Sequence, residues 1–539
     1  MGFADVLKSL IIRRSKFAMV GVSGILLLVP ACGIPGLRVA DAPPALPTGF
    51  SVGSAPADVP VPLASVVGGA LAATTASQPI VSADSSAQLG VADFYSDPIL
   101  ARLIDEGVAN NRELKIRNEE VQIARNEILA RQGAFLPFLT YGAQTGFDRS
   151  SRYTRDGAVD EGLTIPPGGR ILNPLPMSSY GLNFYWTPDF FRALRNARDA
   201  AMQRYYAASE RRYYFVTRLV ADIAENYYRL QSLDARIAVI DLTIDNMSNS
   251  LAVAELRLNF ARGSALPVFR FQAEVKRNQA LKLVVNQDVI VAENRINVLL
   301  NRFPGPVERS PVNFTEVQIH ALDVGLPGQL LANRADIRAA EREIIASGLD
   351  VRVARTRFYP AFAISAGIGY QAFNPRYLFD VNALVANAAG SLVAPLVNKK
   401  AIQADYMSAN ARQLQALYDY QRIVINAFTE VVNNVTTVQN YQRSIELKRM
   451  QLASLVASVD TATSLFQGAR IEYIEVLIAQ RDLLEARTTL IETKREQLLA
   501  VVNAYQALGG GGFWVTPVPA PTPPPSGVPG QPPINVLLP

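Results

Sequence analysis

The stretch "ANNRELKIRNEEVQIARNEILARQGAFLPFLTYGAQTGF", Ala109 to Phe147, lies without a gap over "ANRADIRAAEREIIASGLDVRVARTRFYPAFAISAGIGY", Ala332 to Tyr370, at an offset of 223 residues, as from Ala109 to Ala332. Ala109/Ala332, Asn110/Asn333, Glu120/Glu343, Phe135/Phe358, Pro137/Pro360 and Gly146/Gly369 coincide, with Glu113/Asp336, Leu114/Ile337 and Lys115/Arg338 nearly so. Self-similarity on this scale means one structural unit used twice. The expected organisation is a first repeat over 91–310 and a second over 325–512.

In each copy a helical segment ends near a proline and an alternating segment follows. After Pro137, Leu139, Tyr141, Ala143 and Phe147 fall on one face, opposite Thr140, Gly142, Gln144 and Gly146. After Pro360 the parity returns, with Phe362, Ile364, Ala366, Ile368 and Tyr370 opposite Ala363, Ser365, Gly367 and Gly369. A third segment sets Tyr180, Leu182, Phe184 and Trp186 against Gly181 and Asn183, and a fourth, weakly alternating, is expected between Leu384 and Pro395. Period two over about ten residues is the length of a tilted transmembrane strand with lipid on one face and water on the other. Any one segment also fits a soluble half-buried strand; four in matched halves favour the membrane.

Between the strand pairs the apolar register runs Val216, Leu219, Ile223, Tyr227, Leu230, Leu233, Ile237, Ile240, Ile244, Met247, Leu251, Ala254 and Leu258. Its step is about 3.5 residues, the coiled-coil period. A helix from Arg192 to Leu258 would be roughly 100 Å long at about 1.5 Å per residue. Ile402 to Phe466 is its counterpart. Both break at a glycine, Gly263 in "NFARGSALPVF" and Gly468 in "LFQGARIEY", and resume as helices to Asn301 and Leu508. Such breaks read as hairpin tips far from the strands.

The N-terminus reads as an export signal over 1–31. Lys8, Arg13, Arg14 and Lys16 precede an apolar run from Phe17 to Ala31, too short to span a bilayer. The only cysteine of the chain, Cys32, follows directly in "VPAC", which resembles a lipobox with Pro30 as a departure. A lone cysteine there offers neither a disulfide nor a thiolate cluster. It makes sense as the first, acylated residue of the mature protein, with Gly33 fitting delivery to the outer membrane. Residues 32–90 then read as a lipid-anchored extended lead-in, and 513–539, rich in proline, as an extended tail outside the packed fold.

Composition closes off other classes. The mature chain has no run of twenty apolar residues, so a membrane span would have to be built of strands. Net charge is +5 and dispersed, which does not argue for nucleic acid. With one histidine, His320, no His-rich metal site or His-centred triad array is available, and neither a phosphate loop nor a nucleophile elbow is present. No metal, no cofactor beyond the lipid on Cys32, and no enzymatic activity are expected. Four strands cannot close a barrel in lipid, so the chain must oligomerise; two, three or four copies satisfy that condition equally.

The whole pattern from Cys32 to Gly512 resembles the TolC-like outer-membrane efflux proteins, particularly their lipoprotein branch. The matching motifs are "LPGQLLANRADIRAAE" (Leu326 to Glu341), "EVLIAQRDLLEAR" (Glu475 to Arg487) and "NAYQALGGG" (Asn503 to Gly511), with "DPILARLIDEGVANN" and "WTPDFF" in support. The resemblance implies a mixed α and β membrane protein, a homotrimer whose 12-stranded barrel takes four strands from each protomer. A long periplasmic α-helical coiled-coil barrel continues it. It also implies a passive efflux conduit, fed by an inner-membrane pump, most often of the RND type, through a periplasmic adaptor. Two other readings stay open: the outer-membrane channel of a type I secretion system, and a non-spanning coiled-coil adaptor. By the same resemblance Arg470 and Glu475 match the family's tip arginine and one acidic ring position. Ile478 and Phe269 stand where acids are common. Gly263, Ser264, Gly468 and Ala469 are the adaptor-contact tips.

Overall fold

The computed structural model describes residues 34–40, 47, 86, 89–165, 168–260, 264–319, 325, 327–468 and 470–510. The expected signal peptide (1–31), the proline-rich stretch 513–539, most of the expected lead-in (32–90), and Cys32, Gly263, His320 and Ala469 lie outside the described residues. The first repeat comprises α1 (Val91–Tyr95), α2 (Pro98–Asn110), α3 (Arg112–Gly133), β1 (Phe138–Asp148), α4 (Arg155–Gly162), the short β2 (Thr164–Ile165) and β3 (Gly169–Arg170), β4 (Leu175–Trp186), α5 (Ala193–Asn259) and α6 (Leu266–Leu299). The second comprises α7 (Pro327–Asn333), α8 (Ala335–Thr356), β5 (Ala361–Ala372), β6 (Leu384–Val393), α9 (Lys400–Gln467) and α10 (Tyr473–Ala507). Common to both halves are a 22-residue helix, two long strands and a long helical hairpin, the short elements α4, β2 and β3 lying in the first strand connection alone. The first described α-helix begins at Val91, where the first repeat was expected to start. Phe94 stacks on Tyr505 at 3.9 Å, and the Tyr505 hydroxyl donates to the Leu89 carbonyl at 2.6 Å, so the short α1 is held by α10.

The two halves repeat one another down to single hydrogen bonds. Both long helices are entered through a left-handed residue, Arg192 at φ 60° and Asn398 at φ 55°. Both returning helices end in a Schellman arrangement. Asn301 (φ 58°) and Gly509 (φ 92°) take the left-handed position, and the next amide in each case reaches back to the last turn, Arg302 to Asn297 and Gly510 to Tyr505. Gly509 needs to be glycine twice over, because an added Cβ would also sit 2.8 Å from the Asn333 carbonyl.

Asn111 and Arg334 align in the sequence repeat and occupy the N-cap positions of equivalent helices, though only Asn111 caps through its side chain. Asn111 accepts from the Leu114 amide at 2.9 Å and donates to the Leu299 carbonyl at 2.9 Å. Arg334, only 3% exposed, makes a two-pronged contact with Asp336 (3.1 and 2.7 Å) and bonds Glu430 at 2.8 Å and the Ala507 carbonyl at 2.9 Å. Both residues thus lock the start of a short helix to the end of a long hairpin.

The core is widest at mid-height, where Val216, Leu219, Ile223, Tyr227, Leu230 and Leu233 of α5 pack with α2, α6 and α10. Towards the tip the buried register departs from the expected apolar one. Ile240, Met247 and Ala254 stay buried, but their inward neighbours are Thr243 and Ser250, while Ile237, Ile244 and Leu251 are only partly covered and Leu258 is exposed. The interior here is polar. Asn278 bonds the Glu274 carbonyl at 2.9 Å, and Gln480 donates to Ser250 Oγ at 3.2 Å. Gln480 thus meets the Ser250 hydroxyl inside, and an apolar edge of α5 with Leu242, Leu256 and Leu258 is left on the protomer surface.

One further polar groove, of about 710 Å³, runs between α9, α10 and the segment through Thr315 to Ile319. Lys494 in it is 8% exposed and donates to Gln497 at 3.0 Å; among the described residues it has no carboxylate within ion-pair distance. Burial, reinforced by Arg449, pushes its ammonium down to about 8.

Candidate functional site

The four long strands form one antiparallel sheet in the order β1-β4-β5-β6. The fourth strand occupies Leu384–Val393, inside the expected window, and β4 begins five residues before the expected third segment. Both faces of β1 and β6 are exposed along their whole length, unlike a strand of a soluble sheet. Register sorts the side chains by chemistry. On one face Tyr141, Leu182, Ile368 and Ala386 align across the strands, and on the other Thr140, Asn183, Gly367 and Asn387 do.

The apolar face is bounded by aromatic residues. Tyr180 and Tyr370 stack at 5.4 Å near one end. At the other, Trp186 donates its indole N–H to the Phe135 carbonyl at 3.1 Å, and Phe190 meets Phe362 edge-on at 4.9 Å. From Tyr180 to Trp186 is about 20 Å of extended chain, close to the height of the apolar band of a membrane barrel. β1 and β6, the outer strands, each present an unpaired edge within the protomer.

At the opposite end of the molecule the two hairpins pack on each other. Val268 and Phe271 of α6, Val476 and Leu477 of α10, Ala254 of α5 and Phe466 of α9 form a small core. Arg257, in the last turn of α5, donates to the carbonyls of Phe466 and Gln467 at the end of α9 and lies 4.3 Å above the Phe466 ring. A cation at carbonyls left open by a helix terminus is favourably placed. Arg257 thus adds a polar tie to the apolar contact between the tips. Its position in the last helical turn is the one sequence signal that could have marked it.

The residues singled out from sequence surround this core without entering it. Phe269 is 66% and Ile478 47% exposed. Glu475 lies in the first turn of α10, where the helix N-terminus favours an acid, and Arg470 is exposed, its amide bonding the Leu465 carbonyl at 2.9 Å. Among the described residues Arg470 and Glu475 form no ion pair within the protomer. Ser264 and Gly468 are exposed at the turns. Gly468 has φ −76°, so the break there needs no left-handed backbone. Among the described residues no group of His, Cys, Asp and Glu could hold a metal, and no helix is long and apolar enough to cross a membrane.

A sheet apolar on one side and polar on the other, set on helical hairpins of some 100 Å, defines a channel subunit. Residues 103–302 and 326–510 match the family described as outer membrane efflux protein, and the chain belongs to that family. It is an outer-membrane efflux channel component, not an enzyme. Similar proteins include the cation efflux system protein CusC of Escherichia coli K12, 27% identical over 429 residues (80% of this chain, 90% of CusC). Another is the probable outer membrane lipoprotein SilC of Salmonella typhimurium, 25% identical over 79% of this chain and 88% of SilC. The open-state MtrE outer membrane channel of Neisseria gonorrhoeae shares the fold with a TM-score of 0.73 at 19% identity, over 88% of this chain and 98% of MtrE.

Proposed function

We propose that three copies close the sheet edge to edge into a 12-stranded barrel and the hairpins into a periplasmic tunnel. A periplasmic adaptor docks at Gly263, Ser264, Gly468 and Ala469, and an inner-membrane transporter of the RND type drives solutes through. The observation that carries this reading is the pair of free edges on β1 and β6. In lipid an open edge leaves backbone groups without partners, so neighbouring copies must supply them. The protomer surface supports it. On α6, Val284, Val291 and Val298 are exposed at seven-residue spacing, with Leu283 and Ile290 beside them, matching the uncovered apolar edge of α5. A non-spanning adaptor would have no use for a sheet exposed on both faces.

The tip residues then act at the closed end. Glu475 and Arg470 supply charge, and Phe269 and Ile478 supply bulk, each repeated by symmetry about the tunnel axis. Cys32 carries the lipid. In support, Ile34 packs against the cluster of Val351, Ala354, Tyr406 and Ala409, and Arg38 exchanges hydrogen bonds with Asn410 at 2.9 and 3.3 Å, just below the start of β5. Ile34 and Arg38, close behind Cys32 in the chain, are thereby held near the level where the sheet begins. Heat-modifiable trimers on gels, with labelled palmitate entering the wild type and not Cys32→Ala, are the expected results. Monomers alone in detergent would overturn the barrel, and equal labelling would overturn the anchor.

A further inference from the structure

The polar face of the sheet carries amides and glycines and almost no charge. Four rows cross it. Phe138, Tyr185, Ser365 and Ala389 form the first, Thr140, Asn183, Gly367 and Asn387 the second, Gly142, Gly181, Gly369 and Val385 the third, and Gln144, Ser179 and Gln371 the fourth. In the second row the two asparagines lean over the intervening glycine. A Cβ on Gly367 would meet Asn387 Oδ1 at 2.5 Å and Asn183 Oδ1 at 3.3 Å. Two amide levels therefore bracket a level made mostly of glycine. Across all four long strands the only ionisable acid or base at neutral pH is Asp148, the last residue of β1.

The connections at that end do not restore a field. From Asp148 to Pro174 and from Phe373 to Ala383 there are five arginines (Arg149, Arg152, Arg155, Arg170, Arg376) against five acids. Arg152 pairs with Glu161 at 3.5 Å, and Asp380 accepts from the Asn382 amide at 2.8 Å. An amide both donates and accepts without carrying net charge, so a wall of amides hydrates cations and anions alike. Unbalanced charged rings are what confer sign preference on a pore.

We infer that the barrel is a charge-neutral sleeve, with Asn183 and Asn387 forming its polar level, so that this part of the channel does not sort solutes by the sign of their charge. This rests on the closed-barrel reading, with the Asn183–Asn387 face inward. The test uses cysteines placed singly at Val385, Ala386, Asn387 and Ala388 in the full chain. In intact cells these are exposed to membrane-impermeant thiol reagents, one an anionic sulfonate and one a cationic trimethylammonium, with the unsubstituted chain as background.

With each rate divided by that reagent's rate with a small free thiol, because the attacking thiolate itself favours the cation, Val385→Cys and Asn387→Cys should react with both reagents within about threefold of each other, since no net field is present to steer either. Adding Asn183→Asp to Asn387→Cys should raise the cation-to-anion rate ratio by about tenfold. Thr140→Asp in the same row should do the same, and trimer migration on gels confirms that each variant assembles. A ratio of about tenfold or more without an added acid, or no response to either acid, overturns the inference. Reaction at Ala386→Cys and Ala388→Cys as fast as at Asn387→Cys overturns the barrel reading instead.

Discussion

Arg334 holds in the second repeat the place that Asn111 holds in the first, and each donates a side-chain N–H to a carbonyl at the end of a returning helix, Ala507 and Leu299 respectively. The chemistry differs although the task is shared. Asn111 satisfies one helix start and one helix end as a neutral group. Arg334, which has no acceptor, satisfies only the helix end, and as a buried cation it must also be neutralised by Asp336 and Glu430, Asp336 accepting from the Ile337 amide at the helix start in its place. Removing one partner of a buried pair leaves the others uncompensated. Arg334→Met should therefore cost about 3–5 kcal/mol, against about 1–3 kcal/mol for Asn111→Ala. The apparent melting temperature of the purified protein checks the ranking; equal losses would show that charge burial is not what separates the two sites.

Arg257 supplies a second expectation. Truncation to alanine removes both its hydrogen bonds to the end of α9 and its position over Phe466, loosening one hairpin tip from the other. Each contact of this kind is worth about 1 kcal/mol or somewhat more, so the fold should survive while the tips open more often. Resting conductance of Arg257→Ala in planar bilayers should rise several-fold. Conductance equal to wild type would show that the tie does not govern closure.

Gly181 and Gly369 face each other across β4 and β5 with no room for side chains. A Cβ on Gly181 would lie 2.7 Å from the Gly369 Cα, and one on Gly369 2.8 Å from the Gly181 Cα. Alanine at either position must push the strands apart, at a cost of about 1–3 kcal/mol. Gly146→Ala, whose Cβ would meet nothing within 4 Å, is the control. The yield of heat-modifiable trimers should fall for the first two and hold for the third.

Lys494 makes stability depend on pH in a defined direction. Burial lowers its folded value to about 8 from an ordinary value of 10.5, so between those limits the unfolded chain binds more protons than the native one. Stability contributed by this site therefore rises with pH from about 8 to about 10.5, and the full penalty is present below. Arg449 and Lys448 on α9 add positive charge nearby, while Glu446 and Glu316 at the groove wall are too far for ion pairs with Lys494. Lys494→Met should melt higher than wild type at pH 7, and the gap should close as pH approaches 10.5. A constant gap across that range would mean that the ammonium carries no cost.

The repeat, the strands and the hairpins were legible because each rests on a periodicity that the backbone enforces. The expected long helix from Arg192 to Leu258 is observed as Ala193–Asn259. The lower half of α5 was misread for the same reason. Heptad spacing identifies an apolar stripe but not whether its partner lies in the same protomer. Thr243 and Ser250 are buried with their hydroxyls bonded to carbonyls of their own helix, and Gln480 meets Ser250 from α10, which spacing along one helix does not reveal. Arg257 was missed at the tip because its partners, Phe466 and Gln467, are more than two hundred residues away.

The outer strands β1 and β6 carry none of the devices that usually protect a sheet edge. Neither "FLTYGAQTGFD" nor "LVANAAGSLV" contains a lysine or a proline, and only the terminal Asp148 is charged. Before it meets its own kind, a newly exported chain therefore presents two adhesive margins, ten and eleven residues long, to any extended polypeptide nearby. Biogenesis becomes a race between specific pairing and aggregation. The helical hairpins, rich in local contacts, are the part that can fold first and bring the margins into register before they find the wrong neighbour.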